Sequence, residues 1–159
     1  MESIAGKRKD IHVLTQEQAL ALNAETEEKG LVHIPLNIIH AEGTICNCCD
    51  DCCMVVNPLL YRGRVHEILS PSRYRAVIDE EKCQGCQTCI ERCIFDGLEM
   101  RKPANSKKMK AYIINEHCMG CGVCVVKCPN QAMTMELIRP PEHIPAEMPE
   151  MAARRAQNK

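Results

Sequence analysis

The 159-residue chain has no tryptophan, one phenylalanine (Phe95) and three tyrosines. Large aromatics dominate the cores of ordinary domains, so a conventional aromatic core is excluded. No apolar run reaches the roughly 20 residues of a membrane-spanning helix. Met1–Thr15 (MESIAGKRKDIHVLT) has basic residues but not the apolar stretch of a secretory leader. Charge of one sign is also lacking, since 20 basic and 21 acidic residues leave a formal net charge of −1. A nucleic-acid binder normally carries a basic excess. The expected setting is therefore the cytoplasm, with no nucleic-acid partner and no membrane insertion. There is no Rossmann glycine fingerprint, no phosphate-binding loop, no Gly-x-Ser-x-Gly elbow and no Cys-x3-Cys-x2-Cys series. Nothing in the chain reads as catalytic on its own.

What the chain does have is 13 cysteines. In a reducing cytoplasm, thiols serve metals or catalysis rather than disulfides. An odd count also fits a fully paired disulfide scaffold poorly. The sulfur content therefore points to metal.

An internal repeat organises the chain. Ala76–Met100 (AVIDEEKCQGCQTCIERCIFDGLEM) and the stretch from Ala111 to Glu136 (AYIINEHCMGCGVCVVKCPNQAMTME) align with a shift of 35 residues. The shift superposes Ala76 on Ala111, Ile78 on Ile113, Glu81 on Glu116, Gly85 on Gly120 and Met100 on Met135. It also superposes four cysteines of each copy. Each copy predicts a short β-branched strand, a cysteine loop, a short helix and a second strand (Leu98–Met100 and Ala132–Leu137). Two such copies bury their faces against each other, which suggests a compact, pseudo-twofold βαββαβ-like domain over 76–138. The intervening Arg101–Lys110 (RKPANSKKMK) is polar and basic and predicts an exposed loop.

Upstream, residues 1–45 form an N-terminal extension. Thr15 and Gln18 make a capping-box pattern for a helix over about 16–29, with Ala19, Leu20 and Leu22 as an apolar patch and Gly30 as its stop. Leu31–Ile39 reads as strand or extended chain broken by Pro35, and Asn57-Pro58 as a turn. Residues 46–75 are a Cys-rich segment. From Arg139 the tail carries Pro140, Pro141, Pro145 and Pro149, which favours an extended arm over 139–159, with a short helix at Met151–Gln157.

The metal motifs are Cys83-x2-Cys86-x2-Cys89-x3-Cys93 and Cys118-x2-Cys121-x2-Cys124-x3-Cys128-Pro129. Three cysteines spaced by two residues wrap one face of a cubane cluster, with glycines at 85, 120 and 122 allowing the tight turns. Such turns aim backbone N–H groups at anionic sulfurs. Zinc prefers two separated cysteine pairs, not an unbroken run given twice. A third group, Ile45-Cys46-Asn47-Cys48-Cys49-Asp50-Asp51-Cys52-Cys53, hides another x2-x2 series at Cys46, Cys49 and Cys52. Cys48 or Cys53 could supply a fourth thiolate. This group is open to three readings: a third [4Fe-4S] cluster, zinc, or redox-active thiols. At least one of its five cysteines is left over from a four-ligand site.

His40, six residues before Cys46, is a candidate ligand, although a surface or packing role is the simpler reading. His117 matches Lys82 and is expected to face solvent. His33, His66 and His143 carry no pattern. Arg62, Arg64, Arg73 and Arg75 line the connection into the repeat, where they would offset cluster charge, meet an acidic partner or simply be solvated. The nine methionines read mainly as gap fillers.

On these motifs, residues 74–138 resemble the bacterial two-[4Fe-4S] ferredoxins, an α+β ferredoxin-like fold. The resemblance implies one cluster on Cys83, Cys86, Cys89 and Cys128. It implies a second on Cys118, Cys121, Cys124 and Cys93, because the fourth cysteine of each run serves the other cluster. The first copy departs from the family pattern, with Ile94 where Pro129 stands in the second. With GLVHIPLNIIHAEGTICNCCDDCC ahead of it, the chain also resembles iron–sulfur proteins of strict anaerobes. Among these it is similar to the small electron-transfer subunits that accompany the tungsten-containing catalytic subunit of ATP-independent benzoyl-CoA reductases. The expected function is an iron–sulfur electron-transfer subunit, not catalytic alone, docked on a catalytic oxidoreductase subunit and further redox subunits. A free diffusing ferredoxin and a redox-sensing regulatory or assembly module are the alternatives. Free shuttles usually steer by strong acidic charge, whereas residues 76–138 carry eight basic and eight acidic side chains.

Overall fold

A computed structural model describes residues 11–35, 45–147 and 150. Helix α1 spans Gln16–Glu28. The Gln18 N–H donates to Thr15 Oγ1 (3.2 Å), and the Thr15 N–H donates to Gln18 Oε1 (2.9 Å), closing the capping box. Gly30, at φ +86°, takes the left-handed conformation that stops the helix. The apolar patch expected on α1 is not what holds it, since Leu20 and Leu22 are 61% and 43% exposed. A polar clasp holds it instead. The last carbonyls of a helix have no partner within it. The Arg92 guanidinium donates to the carbonyls of Glu27 (2.6 Å) and Glu28 (3.3 Å), and its Nε donates to the Val123 carbonyl (3.1 Å). Lys127 pairs with the Glu28 carboxylate.

Strands β1 (Val32–Pro35) and β2 (Ile45–Cys48) pair antiparallel, with Val32 opposite Cys48 and Ile34 opposite Cys46. β1 lies within the expected extended run Leu31–Ile39. Residues 36–39 and His40 lie outside the described residues. Val32 joins Val65, Phe95 and Val123 in one buried cluster, so the hairpin packs on the downstream domain. Helix α2 (Val56–Tyr61) and helix α3 (Val65–Ile68) connect the two. Asn57-Pro58, expected as a turn, lies in the first turn of α2. Proline costs nothing there, because that N–H has no intrahelical acceptor.

The downstream domain runs β3 (Tyr74–Ile78), α4 (Thr88–Glu91), β4 (Leu98–Arg101), β5 (Lys110–Ile113), α5 (Val123–Val126) and β6 (Met133–Leu137). It is a small mixed α/β unit. The copies exchange strands: β3 pairs antiparallel with β6, and β4 with β5. The register repeats across the 35-residue shift, with Ala76 opposite Met135 and Met100 opposite Ala111. Loop bonds repeat as well. Asp79 N–H donates to the Ala132 carbonyl (2.8 Å), and Ile114 N–H to the Gly97 carbonyl (3.0 Å). The expected loop Arg101–Lys110 is narrower than its bounds, because its end residues pair with each other as the last rung of β4–β5.

The tail from Arg139, expected to be extended, makes a 3-10 turn at Pro141–His143. Its side chains tie it back. Arg139 donates to the Ser72 carbonyl, Arg73 Nε donates to the Arg139 carbonyl (3.1 Å), and His143 Nε2 lies 3.0 Å from the Pro71 carbonyl oxygen. Pro149 and residues 151–157 lie outside the described residues. Among the described residues, no helix is long and apolar enough to cross a membrane.

Gly120 (φ +67°) sits where an added Cβ would overlap the Tyr74 carbonyl oxygen. Gln87, in contrast, carries a side chain at φ +68°, where the second copy has Gly122. Left-handed backbone costs an L-residue about 1–2 kcal/mol. Gly120→Ala should therefore destabilise by about 2 kcal/mol or more, and Gln87→Gly should leave the melting midpoint unchanged or raised. Circular dichroism melts check both, and a Gly120→Ala protein that melts like the wild type would refute the packing described.

Candidate metal centres

The fourth cysteine of the second run lies beside the first three of the first run. Cys83, Cys86, Cys89 and Cys128 line one recess of about 350 Å³, counting solvent at its mouth, together with Gly85, Pro129 and Met133. Burial pushes the Cys89 thiol up to about 11, with Cys86, Cys83 and Cys128 acting the same way. Cys86 is exposed, and the Thr88 hydroxyl and backbone hold its pKa below the usual thiol value.

Cys93, Cys118, Cys121 and Cys124 form the second gathering. Burial pushes Cys124 up to about 12, and Cys121, Cys93, Cys118 and Cys89 add to the rise. Burial raises Cys121 to about 11, and Cys93 and Cys118 push in the same direction. Cys93 is itself raised, mainly by burial. Gly97 lets these groups meet: an added Cβ would lie 3.3 Å from Cys118 Cα and 3.5 Å from Cys93 Sγ. The Gly97 N–H donates to Cys93 Sγ (3.3 Å), and the Ala132 N–H donates to Cys128 Sγ (3.2 Å). Sequence reasoning passed over Gly97. Its signal was there, because the 35-residue shift superposes it on Ala132, a small residue at the same place.

These eight cysteines fit thiolate-held clusters better than lone ions. One tetrahedral ion with bonds of about 2.3 Å draws its sulfurs to within about 4 Å of one another. Among the described residues, the trio of potential ligand atoms mutually within 4.8 Å lies elsewhere, at Cys49, Asp51 and Cys52.

The upstream five are close together. Cys49 Sγ and Cys52 Sγ lie 3.0 Å apart. Hydrogen bonding to Cys49 and Asp51 pushes Cys52 up to about 12. Burial, then the hydrogen bond with Cys53, pushes Cys48 up to about 12, with Cys46 and Cys49 also near. The Val56 N–H donates to Cys53 Sγ (3.4 Å) and lowers that thiol. Of the histidines, His33 Nδ1 lies 2.7 Å from Asn47 Oδ1, on the β1–β2 hairpin. His117, expected to face solvent, stacks on His66 (4.8 Å between ring centres), and its Nδ1 lies 3.1 Å from the Asp96 carbonyl oxygen.

Residues 82–132 match the family described as the 4Fe-4S dicluster domain. This segment is an iron–sulfur, electron-transfer domain of the ferredoxin type. It binds at least one [4Fe-4S] cluster. No curated protein matches the chain.

Thiols raised to about 11 or 12 stay protonated at neutral pH unless a cation holds them. Metal uptake therefore releases protons, and iron is held less well as pH falls. Loaded protein taken from about pH 8 to about pH 5 in the presence of a chelator should lose its sulfur-to-iron absorbance progressively faster. Iron retention independent of pH would contradict thiolate ligation.

Proposed function

We propose that the chain is an iron–sulfur subunit that relays single electrons to or from a separate catalytic oxidoreductase subunit. The observation that carries this reading is the shared wall between the two cysteine gatherings. Cys83 and Cys89 of the first are buried in one core cluster against which Cys93, Cys118 and Cys124 of the second pack. Two four-thiolate sites back to back make a conduit rather than a pocket for substrate. When bound, a [4Fe-4S] cluster supplies a site that takes up and returns one electron, at a potential set by its hydrogen bonds and exposure. The chain's own residues do the rest. Cys83, Cys86, Cys89 and Cys128 would hold one cluster, and Cys118, Cys121, Cys124 and Cys93 the other. The exchanged strand pairs, with their register repeated after 35 residues, support a pseudo-twofold relation between the copies.

The upstream cysteines extend the same line. Cys48 stands opposite Val32, whose cluster with Phe95 and Val123 also takes in Cys93 and Cys121. A third [4Fe-4S] cluster on four of Cys46, Cys48, Cys49, Cys52 and Cys53 would thus adjoin the second. Around it Met54 and Tyr61 are each 91% exposed, and Ile45 and Val55 are also exposed. Exposed apolar side chains this near the cysteines in sequence favour a docked subunit over a free diffusing ferredoxin. On the sequence resemblance, the partner is a tungstopterin-containing catalytic subunit of a cytoplasmic benzoyl-CoA reductase in an anaerobe. The close Cys49–Cys52 pair favours a second reading for this segment alone, as a redox-sensing thiol pair.

Anaerobic iron analysis separates the readings. Three clusters give about 12 Fe per chain and two give about 8. A value near 8 with one zinc would transfer the upstream group to zinc, and a value near zero would end the electron-transfer proposal.

A further inference from the structure

The two ends of this relay differ in their surroundings. The Cys93 gathering is roofed by Val32, Val65, Phe95 and Val123. The Cys83 recess opens outward at Cys86, and two lysines reach its ligand loop. Lys110 donates to the Cys83 carbonyl, and Lys108 Nζ donates to Gln84 Oε1 (3.0 Å). Gly85, at φ +73°, lies so close to the Met109 carbonyl that a Cβ would overlap it. The 102–109 loop is therefore fastened against the ligand loop. Between residues 100 and 115 the chain carries Arg101, Lys102, Lys107, Lys108 and Lys110 and no carboxylate. Arg101 is engaged by Glu99 and by the Tyr112 ring, while Lys102, Lys107 and Lys108 are exposed. Of the carboxylates near the mouth, Asp79 is paired with Lys82 (3.2 Å), which leaves Glu80, Glu81 and Glu91, whose charge reaches Cys86, against the lysines.

We propose that the mouth of the Cys83–Cys86–Cys89–Cys128 recess is the docking face for a redox protein with an acidic contact surface, guided by the lysines of the 102–110 loop. This inference rests on the electron-transfer reading above. Whole-molecule charge argues for the opposite preference, because the chain is formally −1 and thiolate-bound clusters add negative charge. Charges beyond a Debye length are screened, while a local rim still acts at contact, so a measured preference distinguishes the two.

The test uses the full, anaerobically loaded chain and one carrier in two forms, native basic ferricytochrome c and its succinylated, acidic derivative. One electron leaves the reduced chain and ferric haem becomes ferrous, with no bond or proton exchanged. At about 0.01 M salt the succinylated form should react about tenfold faster or more, and the advantage should collapse by about 0.15 M. The Lys102→Glu/Lys107→Glu double variant should keep the cluster spectrum and lose most of that advantage. Equal rates, a faster native carrier, or a double variant with undiminished preference would overturn the docking face alone. A chain that takes up no iron would end the electron-transfer reading and this inference with it.

Discussion

Thiols buried side by side resist ionisation, and thiols that cannot ionise cannot hold metal unless the metal itself supplies the compensating charge. That constraint governs this chain. Cys121 and Cys124 are pushed up to about 11 and about 12 by burial and by their neighbours' sulfurs. The surrounding core is thin. It consists of residues such as Ala76, Leu98, Ala111, Ala132 and Met133, with a single buried aromatic ring at Phe95. A chain so poor in large side chains has little apolar area to offset the entropy of ordering its backbone. Metal bound only in the folded state adds its binding free energy to folding. The cysteines are thus both the working parts of the domain and the groups on which its fold leans.

The extensions attach by different means. Helix α1 is tied at its C-terminal carbonyls by Arg92, whose Nε also reaches the Val123 carbonyl between Cys121 and Cys124. The β1–β2 hairpin attaches through Val32, and the tail through Arg139 and His143 onto the backbone at 71–72. Each attachment bears on one of the cysteine gatherings or on the entry to β3.

Much of this was legible in the sequence because it follows from spacing. The 35-residue repeat, the cysteine runs, the capping box at Thr15 and the hairpin loop between copies each leave a local pattern. The pairing of β3 with β6 rather than β4 does not, because a repeat reveals two similar units and not which strands they exchange. Leu20 and Leu22 misled because leucines two positions apart lie on nearly opposite sides of a helix and make no single face, and a polar clasp does the anchoring here. Pro58 misled because proline signals a turn and a helix's first turn equally well. His117 matched a solvent-facing lysine in the other copy, and only the fold brings His66 against it.

The central claim is that each cysteine run gives its last member to the other run's cluster. Three loaded single variants test it by one-electron reduction and electron paramagnetic resonance: Cys83→Ala, Cys118→Ala and Cys93→Ala. The first two each mark the loss of one centre, so no prior assignment of signals is needed. The account predicts that the Cys93→Ala spectrum matches that of Cys118→Ala, with the other centre intact. A Cys93→Ala spectrum that matches Cys83→Ala would contradict it.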